Sequence, residues 1–554
     1  MFNALSKILK YSIFGFLVFL ISGTLFAQQE NYHPSPLQWA NQVIYFLVTD
    51  RFADGDSSNN DLGYGEFDPQ DVDFYHGGDL QGIINNLDYI KALGATTLWL
   101  TPPVLNQWLS PLYGKTRFSG YHGYWAQDFY AVDPHVGDLK LYKKMVQEAH
   151  AKGLYVIQDI VVNHMGDFYS ENEKMLNQDG IPAEPAFPFN GTEKASEYFN
   201  FGGTDQYTKG FGGLLDDLKT DNPAVVRSLI DIFKFWIREA DIDGYRIDTV
   251  KYVPMSFWKV FIPEIRQYAA SLGKENFLIF GENFEYDHLA AGRYEESDRG
   301  NGSYTVWPDL PNAPAFNSML DFSLTEVLTR ALLGVGLSGG AINQNGKLLR
   351  QKFESFELVN QHFDLCIREL YSVESRMQRV TFLDNHDMSR FLHRSKASGD
   401  QRILTQALVI LYTLPGVPQL YYGTEQAFDQ PPKKKGKNTG SDNRQSLWES
   451  GFKQDTPLFR TLAWLGHLKQ TEPALALGLF FPRISDGLEG DLWIYSRYLE
   501  DSEIVVMINR GERTLSVPLK ALDHDSLENL ETLQVVRDSV RIPPRGYGIF
   551  RVKE

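Results

Sequence analysis

Acidic side chains and histidines directly follow four short apolar runs of this 554-residue chain. Two neighbouring carboxyl groups can work together as acid and nucleophile when one is protonated and the other is ionised. Like charges in one place raise one another's pKa, which a catalytic acid needs. If the fold brings these groups together, Asp248, Glu282 and Asp387 share one site. The four groups are Asp159-Ile-Val-Val-Asn163-His164, Gly244-Tyr-Arg246-Ile-Asp248, Gly281-Glu282-Asn283 and Asp384-Asn385-His386-Asp387.

Each group taken alone also has an ordinary structural explanation. An Asn-His pair can cap a helix, Arg-x-Asp can form a surface ion pair, and an Asp after a strand is often a helix N-cap. The position of the groups relative to the secondary structure therefore decides between the two interpretations.

Short β-rich apolar runs alternate with amphipathic helical patterns along most of the chain. This alternation predicts a parallel sheet, and about eight units favour a closed (β/α)8 TIM barrel over an open sheet. Reacting groups in such barrels lie at the C-terminal ends of the strands, where the four groups fall. The predicted strands are 43–48, 95–100, 154–160, 244–247, 277–281, 318–322, 379–383 and 417–421, and examples of the predicted helices are 80–93, 139–152, 223–240, 256–272 and 401–413.

Changes in composition divide the rest of the chain. A polar, Gly- and Pro-containing insert, residues 163–215, interrupts a barrel that comprises residues 28–162 and 216–470. Residues 287–317 and 338–374 form a second enlargement. After about residue 471, short strands without long helices predict a C-terminal antiparallel β-sandwich domain, residues 471–554.

The first 27 residues have the layout of a secretory signal peptide. Lys7 and Lys10 precede an apolar stretch, and Ala27 before Gln28 suits signal peptidase. An uncleaved anchor is the alternative, but the apolar run is shorter than the ~20 residues that a membrane span needs. We expect a secreted or periplasmic monomer without membrane attachment after the signal is removed.

Composition excludes several classes of protein. The chain carries 70 acidic against 53 basic side chains and a net charge of −17, so a nucleic-acid partner is not expected. Its 1 Cys excludes an intrachain disulfide framework and a multi-cysteine zinc site. The basic run from Lys433 to Lys437 is interpreted as part of a solvated loop.

The four polar groups also carry a family resemblance. In the same order, they resemble the four signature segments of the α-amylase family of glycoside hydrolases, and the resemblance extends from about Val43 to the C-terminus. Further similar segments are Gly120-Tyr-His-Gly-Tyr-Trp-Ala-Gln-Asp-Phe129, Leu214-Leu-Asp-Asp-Leu218 and Gly416-Val-Pro-Gln-Leu-Tyr-Tyr-Gly-Thr-Glu425. The resemblance implies that Asp248 is the nucleophile and Glu282 the proton donor of a retaining glycosidase.

The chemistry of the neighbouring residues agrees with those implied roles. Arg246 lies two residues before Asp248, on the same face of a strand, and would keep Asp248 ionised. Glu282 has no cation beside it in sequence and can stay protonated. Asp387 would contact hydroxyls of a distorted sugar ring. The remaining predicted substrate contacts are His122, Tyr124, Trp125, His164, Lys251 and His386, with ordinary core packing as the alternative for the aromatic rings and histidines.

Calcium is the predicted metal. Asp54, Asp56, Asn59 and Asn60 place hard oxygen ligands close together, although a polar Asx turn without an ion would look the same. The segment resembles a calcium loop of cyclodextrin glucanotransferases, which implies Gly77 and Asp79 as further ligands. The family implies a second calcium site from Asn163, Asp217 and the Tyr252 carbonyl. Tyr252 replaces a His common in the family, and a sugar contact from that His would be lost.

Three functions remain open from the sequence. The first is an α-amylase that cleaves internal α-1,4 bonds of starch or glycogen. The second is a cyclodextrin glucanotransferase, cyclomaltodextrinase or neopullulanase; the calcium loop favours the transferase, but the lack of room for further domains disfavours it. The third is a non-catalytic glucan-binding protein, which is expected to lack a carboxylate of the site, and none is missing here.

Overall fold

The computed structural model describes residues 32–111, 117–169, 195–201, 203, 205–208, 215–286, 316, 318–334, 354–365, 378–394, 400–429 and 442–553. The predicted signal peptide, the basic run from Lys433 to Lys437 and large parts of the predicted insert and second enlargement lie outside the described residues.

Eight short parallel strands form the barrel. The strands are β1 Ile44–Leu47, β2 Thr97–Leu100, β3 Tyr155–Ile160, β4 Gly244–Ile247, β5 Leu278–Gly281, β6 Ser318–Met319, β7 Val380–Phe382 and β8 Val417–Tyr421. Their order in the sheet is β6-β5-β4-β3-β2-β1-β8-β7, and a parallel bridge between Leu320 and Val380 joins β6 to β7. The predicted TIM barrel is confirmed, and six of the strands are shorter than predicted.

The strands are apolar along nearly their whole length because both faces are covered. Inside the barrel, Phe46 stacks on Trp99 with ring centroids 3.8 Å apart, and Phe280 meets the edge of Trp99. Outside it, helices pack their apolar faces against the strands. This dry interior is a rigid base for the polar side chains at the strand ends.

Local signals fix the ends of the main helices. Asn222 caps a helix that begins at Pro223, and Thr456 caps one that begins at Pro457. The main helices are Leu80–Asn85, Leu87–Ala92, Leu139–Ala151, Pro223–Ala240, Met255–Ser271, Phe322–Leu333, Glu357–Leu365, Gln401–Thr413, Pro457–Thr471 and Pro473–Leu477, and single helical turns are Thr49–Phe52, Ala195–Tyr198 and Phe391–Arg394.

The single helix predicted for residues 80–93 is wrong, because the helix breaks at Asn86. The Asn86 amide donates to the carbonyl of Gly82 at 2.8 Å, and its backbone leaves the helical region, with φ −119° and ψ 14°. An Asn side chain that bonds to the preceding turn in this way offers the backbone an alternative to a continuous helix.

The C-terminal region is antiparallel. In spatial order, its six-stranded sheet contains Leu479–Asp486, Leu492–Leu499, Ser502–Asn509, Tyr547–Val552, Leu527–Asn529 and Val535–Val536, and a two-stranded sheet pairs Leu515–Pro518 with Ser539–Ile542. An apolar cluster includes Ile494 and Val505 from the first sheet and Val517 and Ile542 from the second. Two further strand pairs lie near the barrel, Val104–Asn106 with Ala126–Val132 and Phe199–Asn200 with Asp217–Leu218.

No helix among the described residues has the length and apolar character needed to cross a membrane.

Candidate active site

The ends of β4 and β5 bring two of the predicted carboxylates, Asp248 and Glu282, to one rim of the barrel. Asp248 directly follows β4, and its backbone N–H donates to Ile160 in β3 at 2.9 Å. Glu282 directly follows β5, and its N–H donates to Ile247 in β4 at 2.8 Å. The ladder bonds thus continue one residue beyond the strands and fix both side chains relative to each other.

These carboxylates open into a cleft of about 420 Å³, a size suited to a small-molecule or sugar site. All three predicted carboxylates line it, and so do six predicted substrate contacts, His122, Tyr124, Trp125, His164, Lys251 and His386. The residues that line the cleft are His122, Tyr124, Trp125, His164, Leu215, Asp248, Thr249, Lys251, Tyr252, Glu282, Phe284, His386, Asp387 and Arg444.

Arg246 lies fully buried beneath the cleft and touches three carboxylates. Its Nη1 is 2.8 Å from Asp248 Oδ1 and 2.9 Å from Asp159 Oδ1, and its Nη2 is 3.0 Å from Glu282 Oε2. Glu282, which has no cation beside it in sequence, therefore has one beside it in the fold. Strands β4 and β5 are neighbours, so a side chain of β4 reaches the end of β5 although the two residues are far apart in sequence.

Burial separates the protonation states of the two central carboxyl groups. It is the largest influence on both, and it raises the pKa of Asp248 to about 6 and that of Glu282 to about 8. Arg246 lowers both pKa values, while the neighbouring carboxylates raise them. Near neutral pH, Asp248 is therefore ionised while Glu282 holds a proton. This is the division of roles that the chemistry of a nucleophile and an acid requires.

Asp159 is a part of this site for which the sequence predicted no role. It pairs with Arg246 in the register of β3 and β4. Its Oδ2 accepts hydrogen bonds from Tyr124 Oη at 2.7 Å and from Trp99 Nε1 at 3.1 Å. These bonds hold the carboxylate that orients the guanidinium. Asp159 stands in a motif noted in the sequence, but only the strand register links it to Arg246.

Asp387 is held on the opposite side of the cleft. Its Oδ2 lies 3.0 Å from His386 Nε2 and its Oδ1 lies 3.1 Å from Arg444 Nη2. Burial raises the pKa of Asp387, but His386 Nε2 at 3.0 Å and the cations of Arg444 and Arg246 outweigh it, so the pKa is lowered and the carboxylate is ionised. Sequence reasoning missed Arg444, which stands in no signature segment and comes close to Asp387 only through the fold.

The three histidines of the cleft are neutral. Burial lowers the pKa of His164 to about 4 and that of His386 to about 3, and it holds the pKa of His122 well below its usual range. The Tyr124 N–H donates to His122 Nδ1 at 3.0 Å, so the ring proton of His122 is on Nε2. A neutral imidazole of this kind can donate a hydrogen bond to a sugar hydroxyl.

Tyr124 and Trp125, the aromatic residues predicted to stack on sugars, differ in how much of their rings is exposed. The Tyr124 ring is buried and stacks on His386 with centroids 5.3 Å apart, so much of its surface is used by the protein. Trp125 is partly exposed and meets His122 edge-on. Lys251 donates to the Phe284 carbonyl at 3.1 Å, which places its ammonium at the mouth of the cleft.

The predicted calcium loop folds against its predicted partners. Asn60 Nδ2 donates to Asp54 Oδ2 at 2.8 Å, and Gly77 lies so close to the Asn60 amide that a Cβ at Gly77 would come within 2.5 Å of it. The Oδ1 atoms of Asn59 and Asn60 are buried and have no hydrogen-bond partner within the described residues. Two unpaired buried oxygens beside carboxylates fit a hard cation.

In this loop, Asp56 and Asp79 also have structural roles. Asp56 accepts bonds from Ser58, and Asp79 Oδ2 accepts the backbone N–H groups of Gly55 and Asp56 at 3.1 Å and 2.7 Å. Asp79 Oδ1 caps the helix that begins at Leu80. Part of the loop thus forms the Asx turn that was the alternative to a calcium site, while the Oδ1 atoms of Asn59 and Asn60 can still bind a cation.

The residues implied for a second calcium site also come together in part. The amides of Asn163 and Asn200 both hydrogen-bond to Asp217, and burial raises the pKa of Asp217 to about 7. A buried carboxylate held by amides fits a divalent cation, which would supply positive charge. Tyr252 lies in the 3₁₀ turn Val250–Tyr252 at the cleft, and its role as a carbonyl ligand stays a prediction.

The amino-acid sequence is similar to known proteins over most of its length. A family model described as "Alpha amylase, catalytic domain" matches residues 46–305 and 343–468. The chain is 31% identical over 507 residues to a cyclomaltodextrin glucanotransferase of Klebsiella oxytoca, covering 86% of this chain and 71% of that protein. It is 30% identical over 486 residues to an α-amylase of Streptomyces lividans, covering 74% of this chain and 48% of that protein. The chain thus spans only part of the length of these relatives.

Solved structures share the fold. An α-amylase of Anoxybacillus matches with a TM-score of 0.72 and 29% identity, covering 93% of this chain and 99% of that chain. A cyclomaltodextrin glucanotransferase with a three-domain ABC distribution matches with a TM-score of 0.73 and 26% identity, covering 94% and 100%.

Proposed function

The chain belongs to the α-amylase family of glycoside hydrolases, and from this premise we propose that it is a retaining enzyme that cleaves α-1,4-glucosidic bonds. The substrate would be starch, glycogen or maltooligosaccharide. The observation that carries the proposal is the contact of Asp248 and Glu282 with one guanidinium, that of Arg246, at the cleft, and burial raises the pKa of Glu282, as the proposed acid requires.

The first step of the proposed reaction is glycosylation. Glu282 gives its proton to the glycosidic oxygen, so the leaving glucan departs as an alcohol. Asp248 attacks the anomeric carbon from the other face and forms a glycosyl ester. Two carboxylates on adjacent nitrogens of one guanidinium suit this double displacement, which needs a separation of about 5–5.5 Å rather than the wider gap that an inverting enzyme leaves for water.

The second step is hydrolysis of the ester. Glu282, now a carboxylate, takes a proton from water, and the resulting oxygen nucleophile attacks the anomeric carbon and releases Asp248. Arg246 keeps Asp248 ionised as a leaving group, and the ionised Asp387 would hydrogen-bond hydroxyls of the distorted ring. His122, His164 and His386, all neutral, would complete the contacts to that sugar.

Bound calcium would stabilise the loops around this site without taking part in the reaction. We propose that residues 54–60 with Gly77 and Asp79 hold one ion, and that Asn163, Asp217 and the Tyr252 carbonyl hold a second. A bound ion would fix these loops beside the barrel rim. We also propose that the N-terminal 27 residues direct export, so the enzyme meets its polysaccharide in the periplasm or medium.

Transglycosylation is the second candidate. Several relatives are named cyclomaltodextrin glucanotransferase, and one solved structure of that name has a three-domain ABC distribution. The expectation that a transferase carries further domains therefore does not distinguish a hydrolase from a transferase. In that reaction the hydroxyl of a second glucan, instead of water, would attack the glycosyl ester.

Product analysis tests both candidates. The purified protein would be incubated with soluble starch, maltoheptaose, pullulan and cyclodextrin, and the products separated by chromatography while NMR follows the anomer formed first. An α-amylase gives α-configured linear maltooligosaccharides, and a transferase gives cyclodextrins from starch. A β-configured first product would overturn the retaining mechanism, and glucan binding without turnover would favour the non-catalytic alternative.

A further inference from the structure

A second group of titratable side chains lies at the end of the barrel opposite the cleft. Asp243 directly precedes β4, whereas Asp248 directly follows it. A strand of four residues separates the two carboxylates by roughly 13 Å or more. The group contains His33, His150 and Asp243, and it takes no part in glycosidic chemistry.

The three side chains come from three separate parts of the chain. His33 stands in the segment before the first barrel strand, and His150 in the last turn of helix Leu139–Ala151. His150 Nε2 is 2.8 Å from Asp243 Oδ2, and His33 Nδ1 is 3.8 Å from Asp243 Oδ1. One nitrogen or oxygen from each residue lies within 4.8 Å of the others. Ligand atoms around tetrahedral zinc are roughly 3.3 Å apart. Because the two imidazoles stack face to face, the partly exposed His33 ring must turn about its Cβ–Cγ bond before both rings point a nitrogen at one ion.

The His33 ring is held in position, but its Nδ1 makes no hydrogen bond within the described residues. Its backbone N–H donates to the Asp241 carboxylate, and its ring stacks on His150 with centroids 3.9 Å apart and an interplanar angle of 14°. Its Nδ1 is buried and has no hydrogen-bond partner within the described residues, since 3.8 Å is too long for a hydrogen bond. A ligand at this nitrogen would satisfy it without moving the segment.

Lys274 is the cation already present. Its Nζ is 2.9 Å from Asp243 Oδ1 and 2.7 Å from Asp241 Oδ1. One ammonium against two carboxylates leaves the group with one negative charge before any metal binds. Lys274 holds Oδ1 of Asp243, whereas Oδ2 faces His150 and accepts the backbone N–H of Val156 at 2.8 Å, which leaves one lone pair of Oδ2 for a metal in place of the His150 hydrogen bond. A partner on the outer oxygen of a ligating carboxylate orients it, as is usual in metal sites.

We propose that His33, His150 and Asp243 bind one divalent transition metal of the zinc class, with water in a fourth position. Two imidazoles and one carboxylate suit zinc, whereas calcium prefers oxygen ligands. The His33 side chain is 28% exposed, which provides a route of entry for the ion. The metal would fasten the segment that contains His33 to the base of the barrel, and this binding is independent of the proposed glycosidase reaction.

Zinc titration of the full mature protein tests the proposal. The protein is stripped with chelator, saturated with Ca²⁺ and titrated with Zn²⁺ by calorimetry, with bound zinc counted by elemental analysis after dialysis. The variants are His33→Gln and His150→Gln. His467→Gln is the matched control, because His467 is an exposed histidine on helix Pro457–Thr471. Melting temperature with and without Zn²⁺ is the second readout, since a bound ion stabilises the folded state.

The expected result is one zinc equivalent in the wild type and in His467→Gln, with a rise in melting temperature. Both other variants should lose that equivalent and that rise while keeping glucan turnover at 25 °C. Should His150→Gln fail to fold, His33→Gln decides alone, because its residue lies on a terminal segment. Wild-type protein without bound zinc, or equal zinc content in all four proteins, would overturn the proposal.

Discussion

The single cation of Arg246 contacts three buried carboxyl groups. This excess of negative charge affects the protonation of the carboxyl groups at the barrel rim. Asp159 and Asp248 both contact its Nη1, while Glu282 contacts Nη2. Burial and the neighbouring carboxylates favour the protonated form of these groups, and Arg246 only partly opposes them. The pKa of Glu282, raised to about 8, agrees with its proposed role as the acid of the site.

Asp248→Asn should abolish turnover, because a carboxamide of nearly the same shape cannot form the glycosyl ester. We expect a loss of kcat on the order of 10⁴-fold or more, with folding and glucan binding largely retained. Starch hydrolysis and calorimetric binding of maltoheptaose measure the two effects. Asp231→Asn, an exposed change on helix Pro223–Ala240, is the control and should stay fully active. Near-wild-type hydrolysis by Asp248→Asn would contradict the mechanism.

Glu282→Gln should lose much more activity on a substrate whose leaving group needs a proton than on one whose leaving group does not. On maltooligosaccharide we expect a loss of about 10²- to 10⁴-fold, and on an α-glucosyl fluoride of similar length a much smaller loss in the first step. Deglycosylation then becomes slow, so azide, which needs no general base, should restore turnover and give an α-glycosyl azide. Equal losses on both substrates without an azide product would show that Glu282 is not the acid.

The pH profile follows from the same pair. Asp248 must be ionised, so activity should rise as the pH passes upward through about 6, and Glu282 must be protonated, so activity should fall above about 8. The two limbs of kcat/KM against pH belong to the pair as a whole. With Glu282→Gln and the fluoride substrate, the alkaline limb should disappear. An optimum below pH 5, or an alkaline limb that persists in the variant, would contradict this assignment.

At the scale of single residues, sequence could predict local relations but not relations across strands. The pairing of Arg246 with Asp248 follows from their spacing of two within one strand, and the structure shows it. The contacts of Arg246 with Asp159 and Glu282 require the strand order and register, which no single segment contains. Arg444 reaches Asp387 from a loop outside every recognised motif, so nothing local marks it.

At the scale of elements, strands were easier to predict than the ends of strands or the continuity of helices. Continuous apolar runs predicted all eight barrel strands, because burial on both faces leaves no polar alternation. Six strands were predicted one to three residues too long, because the apolar runs extend past the strand ends, as Val43 and Val48 do around β1. The break at Asn86 depends on one side-chain bond to Gly82 that an amphipathic pattern does not reveal.

The loop of residues 54–60 should make stability depend on calcium. EDTA should lower the melting temperature and Ca²⁺ alone should restore it, because an ion bound only to the folded state adds about 2.7 kcal/mol at a hundredfold excess over Kd. Asp54→Asn should reduce the calcium-dependent part of the shift. Asp61→Asn, an exposed neighbour that accepts only the Gly63 N–H among the hydrogen bonds described for it, is the control. An unchanged melting temperature in EDTA, with no calcium by elemental analysis, would contradict both calcium sites.

At the scale of the whole molecule, the C-terminal sheet is fastened to the barrel helix Gln401–Thr413. Arg497, fully buried, donates to the carbonyl oxygens of Thr413 and Gly478, and Thr413 Oγ1 is 2.5 Å from Tyr495 Oη. Gln406 Nε2 donates to the carbonyl oxygens of Asn509 at 2.6 Å and Gly546 at 2.8 Å. These polar contacts lie within an apolar interface, so they fix the relative position of the two parts as well as adding stability.

Gln406→Leu should therefore destabilise the protein without altering its chemistry. The change removes a donor from the buried Asn509 carbonyl and from the part-buried Gly546 carbonyl, which costs about 1–3 kcal/mol, while an apolar side chain of similar volume avoids a cavity. The melting temperature should fall, and kcat/KM at 25 °C should stay at the wild-type value because the rim of the barrel is untouched. Gln470→Leu removes a similar pair of bonds, to Gly94 and Gly466, from an exposed side chain, so its effect should be small. If both variants melt alike, the polar contacts of Gln406 do not join the C-terminal sheet to the barrel energetically, and packing alone holds the two together.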